Sequence, residues 1–298
     1  MNLIALFLGL VVERVATRLL HLREPRWLDS YFDWWLDRVD NASPVVGVVL
    51  AILCLALPVL PIAWLQHEFA DVLFGLPYIA FAAFVLLFSL GPRDLASEVE
   101  DYAAAVASGD AERIERAAKA ITESDLPRAG RVRDLAVEEA VLVQANNRIF
   151  GVVFWFMVLG PAGAWLFRVA DLMRRRAVFE AGRTAADGEG APPRCLQVVQ
   201  TLYGLLAWIP ARLLALGYAM AGSFEDAVSD WRSYYQSCSD KFFHVNDAIL
   251  AASGRGAMQN DAAEPAVGAA QAAMGLVRRT LWVWITVISL LTIAGQVA

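Results

Sequence analysis

Residues 42–66 read ASPVVGVVLAILCLALPVLPIAWLQ, and residues 72–91 read VLFGLPYIAFAAFVLLFSLG. Neither stretch holds an acidic or basic side chain. Each is long enough to cross the hydrocarbon core of a bilayer as a helix, which takes about 18–20 apolar residues. The link between them, Gln66 to Asp71, is very short, so the two are expected to form a membrane helical hairpin. Three more apolar runs follow. Residues 149–167 are interrupted by Gly160-Pro161-Ala162-Gly163, residues 198–222 by Pro210 and Arg212, and residues 280–298 end the chain.

The composition agrees with this pattern. The chain has 298 residues, 58% of them hydrophobic, and its mean hydropathy is +0.48. Soluble globular chains are nearer about 45–50% apolar. The expected fold is therefore all-α: a polytopic helical membrane protein with about four to five transmembrane helices. Its segments are 1–92 (N-terminal segment and hairpin), 93–148 (a cytoplasmic helical insertion) and 149–298 (a membrane region with polar loops). The N-terminal run Leu3 to Val12 has no basic residues before it, and Glu13-Arg14 follows without a small-residue cleavage site. It reads as a retained, amphipathic or partly inserted helix rather than a signal peptide.

Several function classes find no support. Net charge is −6, and the only lysines are Lys119 and Lys241, so no basic patch points to nucleic acid. Cys54, Cys195 and Cys238 form no CxxC pair, which argues against a disulfide framework or zinc ribbon. His21, His67 and His244 are isolated. His67-Glu68 opens like a zinc-protease HExxH, but Asp71 stands where the second histidine belongs. There is no GK dipeptide and hence no P-loop. Neither a cofactor nor a metal is expected from these residues.

The polar stretch 93–148 has helical periodicity. Leu95, Val99, Tyr102 and Val106 share one face. Gly109 stops that helix and Asp110 caps the next, from Ala111 to Ile121, which Asp125-Leu126-Pro127 breaks. A third helix, from about Arg131 to Asn147, should run on into the membrane. The stretches 182–194 and 253–265 read as polar turns or loops. Arginine and lysine asymmetry sets the orientation. Residues 1–41 hold five such side chains, 66–71 none and 93–148 eight, which puts the N-terminus and 93–148 in the cytoplasm. Residues 149–167 suit one crossing better than two, yet a single crossing would carry Arg174-Arg175-Arg176 outside, against the same rule; the alternative is that the run folds back at Gly160-Pro161-Ala162-Gly163 as a re-entrant pair of half-helices.

Three groups of residues stand out as candidate ligand-binding sites. Arg212 sits in an otherwise apolar run, where a charge costs about 2.5–3.5 kcal/mol on insertion scales. Pro210 beside it opens a backbone carbonyl one turn earlier. Arg212 is expected either to line a polar cavity, paired with Glu13, Asp171, Glu138 or Glu139, or to snorkel to an interface. Asn146, Asn147 and Arg148 follow Glu138 and Glu139 closely enough for one carboxylate to share the arginine's face. Asp171 precedes the arginine triplet, which suits a phosphate or a lipid headgroup. Trp27, Trp34, Trp35, Trp155, Trp165, Trp208, Trp282 and Trp284 read as interface belt and packing.

Several segments resemble one family. GVVFWFMVLGPAGAWLFRVADLM (151–173), WIPARLLALGYAMAGSFEDAVSDW (208–231) and LLTIAGQ (290–296) are similar to the AmpE family, as are Glu13-Arg14, GPRDL (91–95), VEDY (99–102) and Gly109-Asp110. The resemblance implies a multi-pass protein of the bacterial inner membrane associated with β-lactamase induction. The implied partners are the lipid bilayer and a membrane or cell-wall-recycling protein. AmpE in turn resembles the CobD/CbiB family, which implies an ATP-dependent, amide-forming synthase acting on a corrinoid. ATP enters through that likeness alone. The synthase family carries an acidic motif shortly before the FW pair, where this chain has Val143, Gln144 and Asn147, while Asp171 and Arg212 are retained. Carboxylates usually hold the metal and phosphate in such chemistry, so a regulatory or sensory protein is the expected function. A transporter is a weaker third class.

Overall fold

The computed structural model describes residues 5–6, 27–70, 76–90, 94–123, 130–186, 194–237, 242–258 and 266–295, and regular structure among them is helical throughout. Two compact units emerge, one from residues 1–92 and 151–206, the other from 93–150 and 207–297. Among the described residues four helical stretches are long and apolar enough to cross a membrane: Pro44–Ala70, Arg131–Leu159, Arg194–Ala221 and Gly268–Ile293. Leu76–Ser89 is a shorter apolar helix. The protein is thus an all-α polytopic membrane protein, as the apolar runs require.

In the first unit, α1 (Trp27–Asn41) is amphipathic and buries Leu28, Phe32, Trp35, Leu36 and Val39 at helical spacing. α2 (Pro44–Ala70) and α3 (Leu76–Ser89) are the expected hairpin helices. α2 presents Val45, Ile52, Leu60 and Trp64 outward, an apolar exposure that suits lipid and not water. It also carries Pro58 and Pro61 in its interior. Proline has no N–H, so Pro58 leaves the Cys54 carbonyl, one turn earlier, without its helical donor. The Tyr31 hydroxyl donates to that carbonyl at 2.8 Å. The same device recurs at Pro210, inside α9 (Arg194–Ala221). The carbonyl it frees is that of Leu206, and the Trp155 indole donates to it at 3.0 Å. Trp155 and Trp165, whose indole donates to the Pro58 carbonyl at 3.1 Å, are therefore joints between helices more than interface anchors.

The run 149–167 does not cross as one helix. α7 (Gly151–Leu159) ends at Gly160, whose φ of 70° is left-handed, and α8 (Pro161–Ala186) turns back along it. Gly160 closes α7 through its N–H on Phe156 O (2.8 Å), and its own carbonyl accepts from Gly163 and Ala164 to start α8. Pro161 occupies the first helical position, where its missing N–H costs nothing. At Gly163 an added Cβ would lie 2.2 Å from Trp155 O. The Gln66 amide fastens this corner from α2: it donates to Leu159 O at 3.1 Å and accepts from Ala162 N at 3.0 Å. The reversal corrects the single crossing expected for this run. It returns Arg176 to α1, where Asp33 binds it at 2.6 and 2.9 Å, and so removes the conflict over the arginine triplet.

In the second unit, α4 (Leu95–Ser108) and α5 (Ala111–Thr122) meet at the predicted break. Gly109 is left-handed, with φ 69°, and Asp110 caps α5 by accepting from the Glu112 and Arg113 amides. α6 (Arg131–Ala145) continues through a π turn at Asn146–Phe150 into α7. The C-terminal part of α9, α10 (Phe224–Ser237), α11 (Phe242–Ala257) and α12 (Ala266–Ile293) complete the unit. Tyr102, Leu142, Phe150, Tyr218, Leu250 and Leu276 belong to one apolar core. Part of the expected loop 253–265 is helix: α11 runs to Ala257 through Gly254 and Gly256. These glycines permit close approach, since a Cβ on Gly254 would meet the Leu142 side chain at 2.6 Å and one on Gly256 the Asp226 carbonyl at 2.6 Å. Likewise the expected loop 182–194 begins as helix up to Ala186, and 187–193 lie outside the described residues.

Candidate functional site

Three polar centres lie among these apolar helices. In the second unit, Arg148 on the π turn is buried and fully engaged. It donates to Glu98 Oε2 (2.7 Å), Glu123 Oε1 (3.3 Å), Gln144 Oε1 (3.2 Å) and Ala120 O (3.4 Å). Glu98 comes from the buried face of α4 and Glu123 from the left-handed cap of α5, at φ 57°. A non-glycine residue in that conformation costs about 1–2 kcal/mol, so the ion pair and the cap position support each other. Glu138 and Glu139 do not join this centre. Glu139 pairs with Arg255 at 3.0 Å, and Glu138 is half-buried elsewhere on α6. Sequence spacing alone favoured them; the carboxylates come instead from other helices, beyond the reach of any local periodicity. π turns interrupt helices at functional positions often, and here the turn buries Asn146, Asn147 and Arg148 together. The Asn146 Oδ1 atom is buried without a hydrogen-bond donor.

The second centre is Arg212, half-buried on α9. Its guanidinium lies over the Trp208 ring, 4.7 Å from the centroid, and donates to Trp208 O (3.2 Å), Asn246 Oδ1 and Tyr235 Oη (3.3 Å). Each partner is neutral. Of the carboxylates expected to pair with it, Glu138 and Glu139 do not: the described residues give Arg212 an amide and a phenol from the α10–α11 hairpin, and Asp171 is held by arginines of its own helix. Glu13 itself lies outside the described residues.

In the first unit, Asp171 is fully buried on α8. Its carboxylate accepts from Arg168 (3.1 Å), Arg175 (2.8 Å) and Arg174 (2.8 Å), all within one turn of the same helix. Arg174 also lies over the Tyr203 ring at 4.9 Å. Arg168, missed in the sequence because it falls just past the apolar run, sits at the i−3 position that faces Asp171. Glu98 was also legible in principle, being three residues from Leu95 and four from Tyr102 on the face already read as buried. Asn246 and Tyr235 had no such signal.

An ATP-dependent ligase would need carboxylates open to a metal ion and its phosphates. Glu98 and Glu123 are bound to Arg148, and Asp171 to three arginines. Val143 and Gln144, in the place of the acidic motif, pack against the core and accept from Arg148 respectively. Among the described residues, these three carboxylates are therefore not open to a metal–nucleotide group.

Comparison with known proteins gives a consistent result. Residues 1–298 match the family model described as "Regulatory signalling modulator protein AmpE". The chain is also similar to "Cobalamin biosynthesis protein CobD" of Chromobacterium violaceum, 29% identical over 177 residues, covering 58% of this chain and 52% of that protein. A protein of the same description from Stutzerimonas stutzeri is 30% identical over 210 residues, covering 69% and 63%. The chain thus spans between about half and just under two-thirds of the length of these curated relatives. No solved structure matches. With its whole length matched and its apolar helices in place, the chain belongs to the AmpE family.

Proposed function

We propose that the chain is a regulatory or sensory protein of the bacterial inner membrane that takes part in β-lactamase induction and the response to cell-wall stress. The family match over all 298 residues supports this reading. The observation that carries it is the state of the buried carboxylates. Glu98, Glu123 and Asp171 are neutralised by arginine, which suits a polar centre that holds helices in one arrangement more than one that activates a phosphate. Orientation follows from charge: the N-terminus and 93–148 face the cytoplasm, and a membrane or cell-wall-recycling protein is the partner that reads its state. The test is deletion of the gene in its own host, followed by β-lactamase activity with and without a β-lactam inducer. Altered induction, restored by the wild-type copy, is expected. Identical induction in both strains would sink the proposal.

The similarity to two cobalamin biosynthesis proteins favours one rival reading, an amide-forming synthase. Since Val143, Gln144 and Asn147 stand in for acidic residues, the chain should fail to support growth of a corrinoid-synthase knockout on corrinoid precursors. Growth would make the rival the better account.

A further inference from the structure

Arg212 is a cation in an apolar span whose partners among the described residues are all neutral dipoles. Such a charge is costly there unless a counter-charge reaches it. The surroundings are built to hold the guanidinium in place. Asn246, 2% exposed, fixes one Nη atom, Tyr235 the other, and the Trp208 ring covers a face. The helices keep this register along their length: Ser223 N donates to Ala257 O (2.9 Å) and Ser253 Oγ to Ala215 O (3.0 Å), so α11 runs parallel to α9 and delivers Asn246 to Arg212.

One side remains open. Trp208 is 45% exposed and Tyr235 48%. The open side adjoins a stripe on α9 made of Ile209, Leu213, Leu216 and Met220, all exposed and spaced at helical intervals. Arg212 stands beside this stripe, one turn from Leu216 and one from Trp208. It lies nine residues before the end of α9, about 14 Å along the axis. An exposed apolar stripe with a fixed cation at its edge matches an amphiphile: a chain for the stripe and an anionic head for the arginine. Guanidinium groups recognise phosphate through a planar donor fork.

We propose that Arg212, Asn246, Tyr235 and Trp208 form a headgroup site for a phospholipid whose headgroup carries a net negative charge, with its chain on the Ile209–Met220 stripe. This deepens the regulatory reading by naming the class of ligand, and it rests on that reading only for its biological consequence. Binding is measured without any induction assay, so failure of one and failure of the other are separate results.

The experiment uses the full chain in detergent micelles, titrated with phosphatidylglycerol or phosphatidylcholine and read by native mass spectrometry, with inorganic phosphate as the soluble competitor. Phosphatidylglycerol should bind in preference to phosphatidylcholine, and millimolar inorganic phosphate should not displace it. Arg212→Leu should weaken phosphatidylglycerol binding by about tenfold or more, the scale of one lost charge-assisted hydrogen bond. Arg212→Lys should fall between, and Tyr235→Phe should lose a few-fold. Equal binding of both lipids by the wild type, or an unchanged preference in Arg212→Lys and Tyr235→Phe, overturns the site even if Arg212→Leu does not fold. Full displacement by inorganic phosphate overturns the lipid and points to a soluble anion.

Discussion

At the scale of single residues, Arg148 shows how this protein keeps charge inside an apolar helix. Its side chain is 4% exposed and that of Glu98 7%, so neither ion is solvated if the other is lost. Breaking such a pair from one side costs roughly 3–5 kcal/mol. Arg148→Ala should therefore lower the thermal midpoint in detergent strongly, with Glu98→Gln milder because a neutral amide can still accept from the guanidinium. A double change, Arg148→Met with Glu98→Leu, should recover much of the loss; no recovery would mean that Glu123 or Gln144 matters more than Glu98. Tyr102 offers a reading by pH. Burial, and then the hydrogen bond it donates to Asp134 (2.7 Å) and the charge of that carboxylate, push its pKa from 10.0 to about 12. The raised value means that folding favours the neutral phenol. Its contribution is fully present below pH 10.0 and is lost as pH rises towards about 12. The stability gap between wild type and Tyr102→Phe should be constant from pH 7 to 9 and shrink above 10. A gap that does not change with pH would show the phenol to be solvated.

At the scale of elements, the corner at Gly160 is the sharpest test of the packing. The added Cβ of Gly163→Ala would meet a backbone oxygen at 2.2 Å, which cannot yield without opening the α7–α8 hairpin. That substitution should reduce folded yield severely. Gly182→Ala, on the same helix with nothing within 4 Å of the new methyl, should be neutral or stabilising by about 0.5–1 kcal/mol. Similar melting curves for the two would mean that the hairpin is loose. The contrast also shows which parts of the fold could be read from residues. α2, α3, α4 and α5 were legible because charge-free length, a four-residue apolar stripe and the Gly109-Asp110 break are local signals. The reversal at Gly160 was not, because a GPAG sequence inside an apolar run marks a break without saying which way the chain goes. The direction is fixed by Gln66, 93 residues from Leu159. The helix through Ser253–Ala257 was hidden by glycines whose small size serves packing on Leu142 and Asp226, not chain flexibility. For the candidate sites the split is the same. Arg148, Asp171 and Arg212 announced themselves as charges in apolar surroundings, whereas Glu98, Glu123, Tyr235 and Asn246 arrive from separate helices.

At the scale of the whole molecule, charge decides how the chain lies in the membrane. Basic side chains cluster in 1–41 and 93–148 and are absent from 66–71. The reversal in the first unit brings Arg176 of the triplet to Asp33 on α1, so the triplet and the basic N-terminal segment no longer demand opposite sides. On the positive-inside rule, the expectation from sequence is that α1, the triplet and 93–148 share one compartment. The Gln66–Gly160 corner, which holds no arginine or lysine, is expected to face the other. Single cysteines test this in a background where Cys54, Cys195 and Cys238 are replaced. Ser108 marks the first compartment, and His67, exposed beside the corner, marks the second without removing the Gln66 contacts. In intact cells a membrane-impermeant maleimide should label His67→Cys and spare Ser108→Cys until the inner membrane is opened. Labelling of both in intact cells, or of Ser108→Cys alone, would overturn the orientation expected from charge.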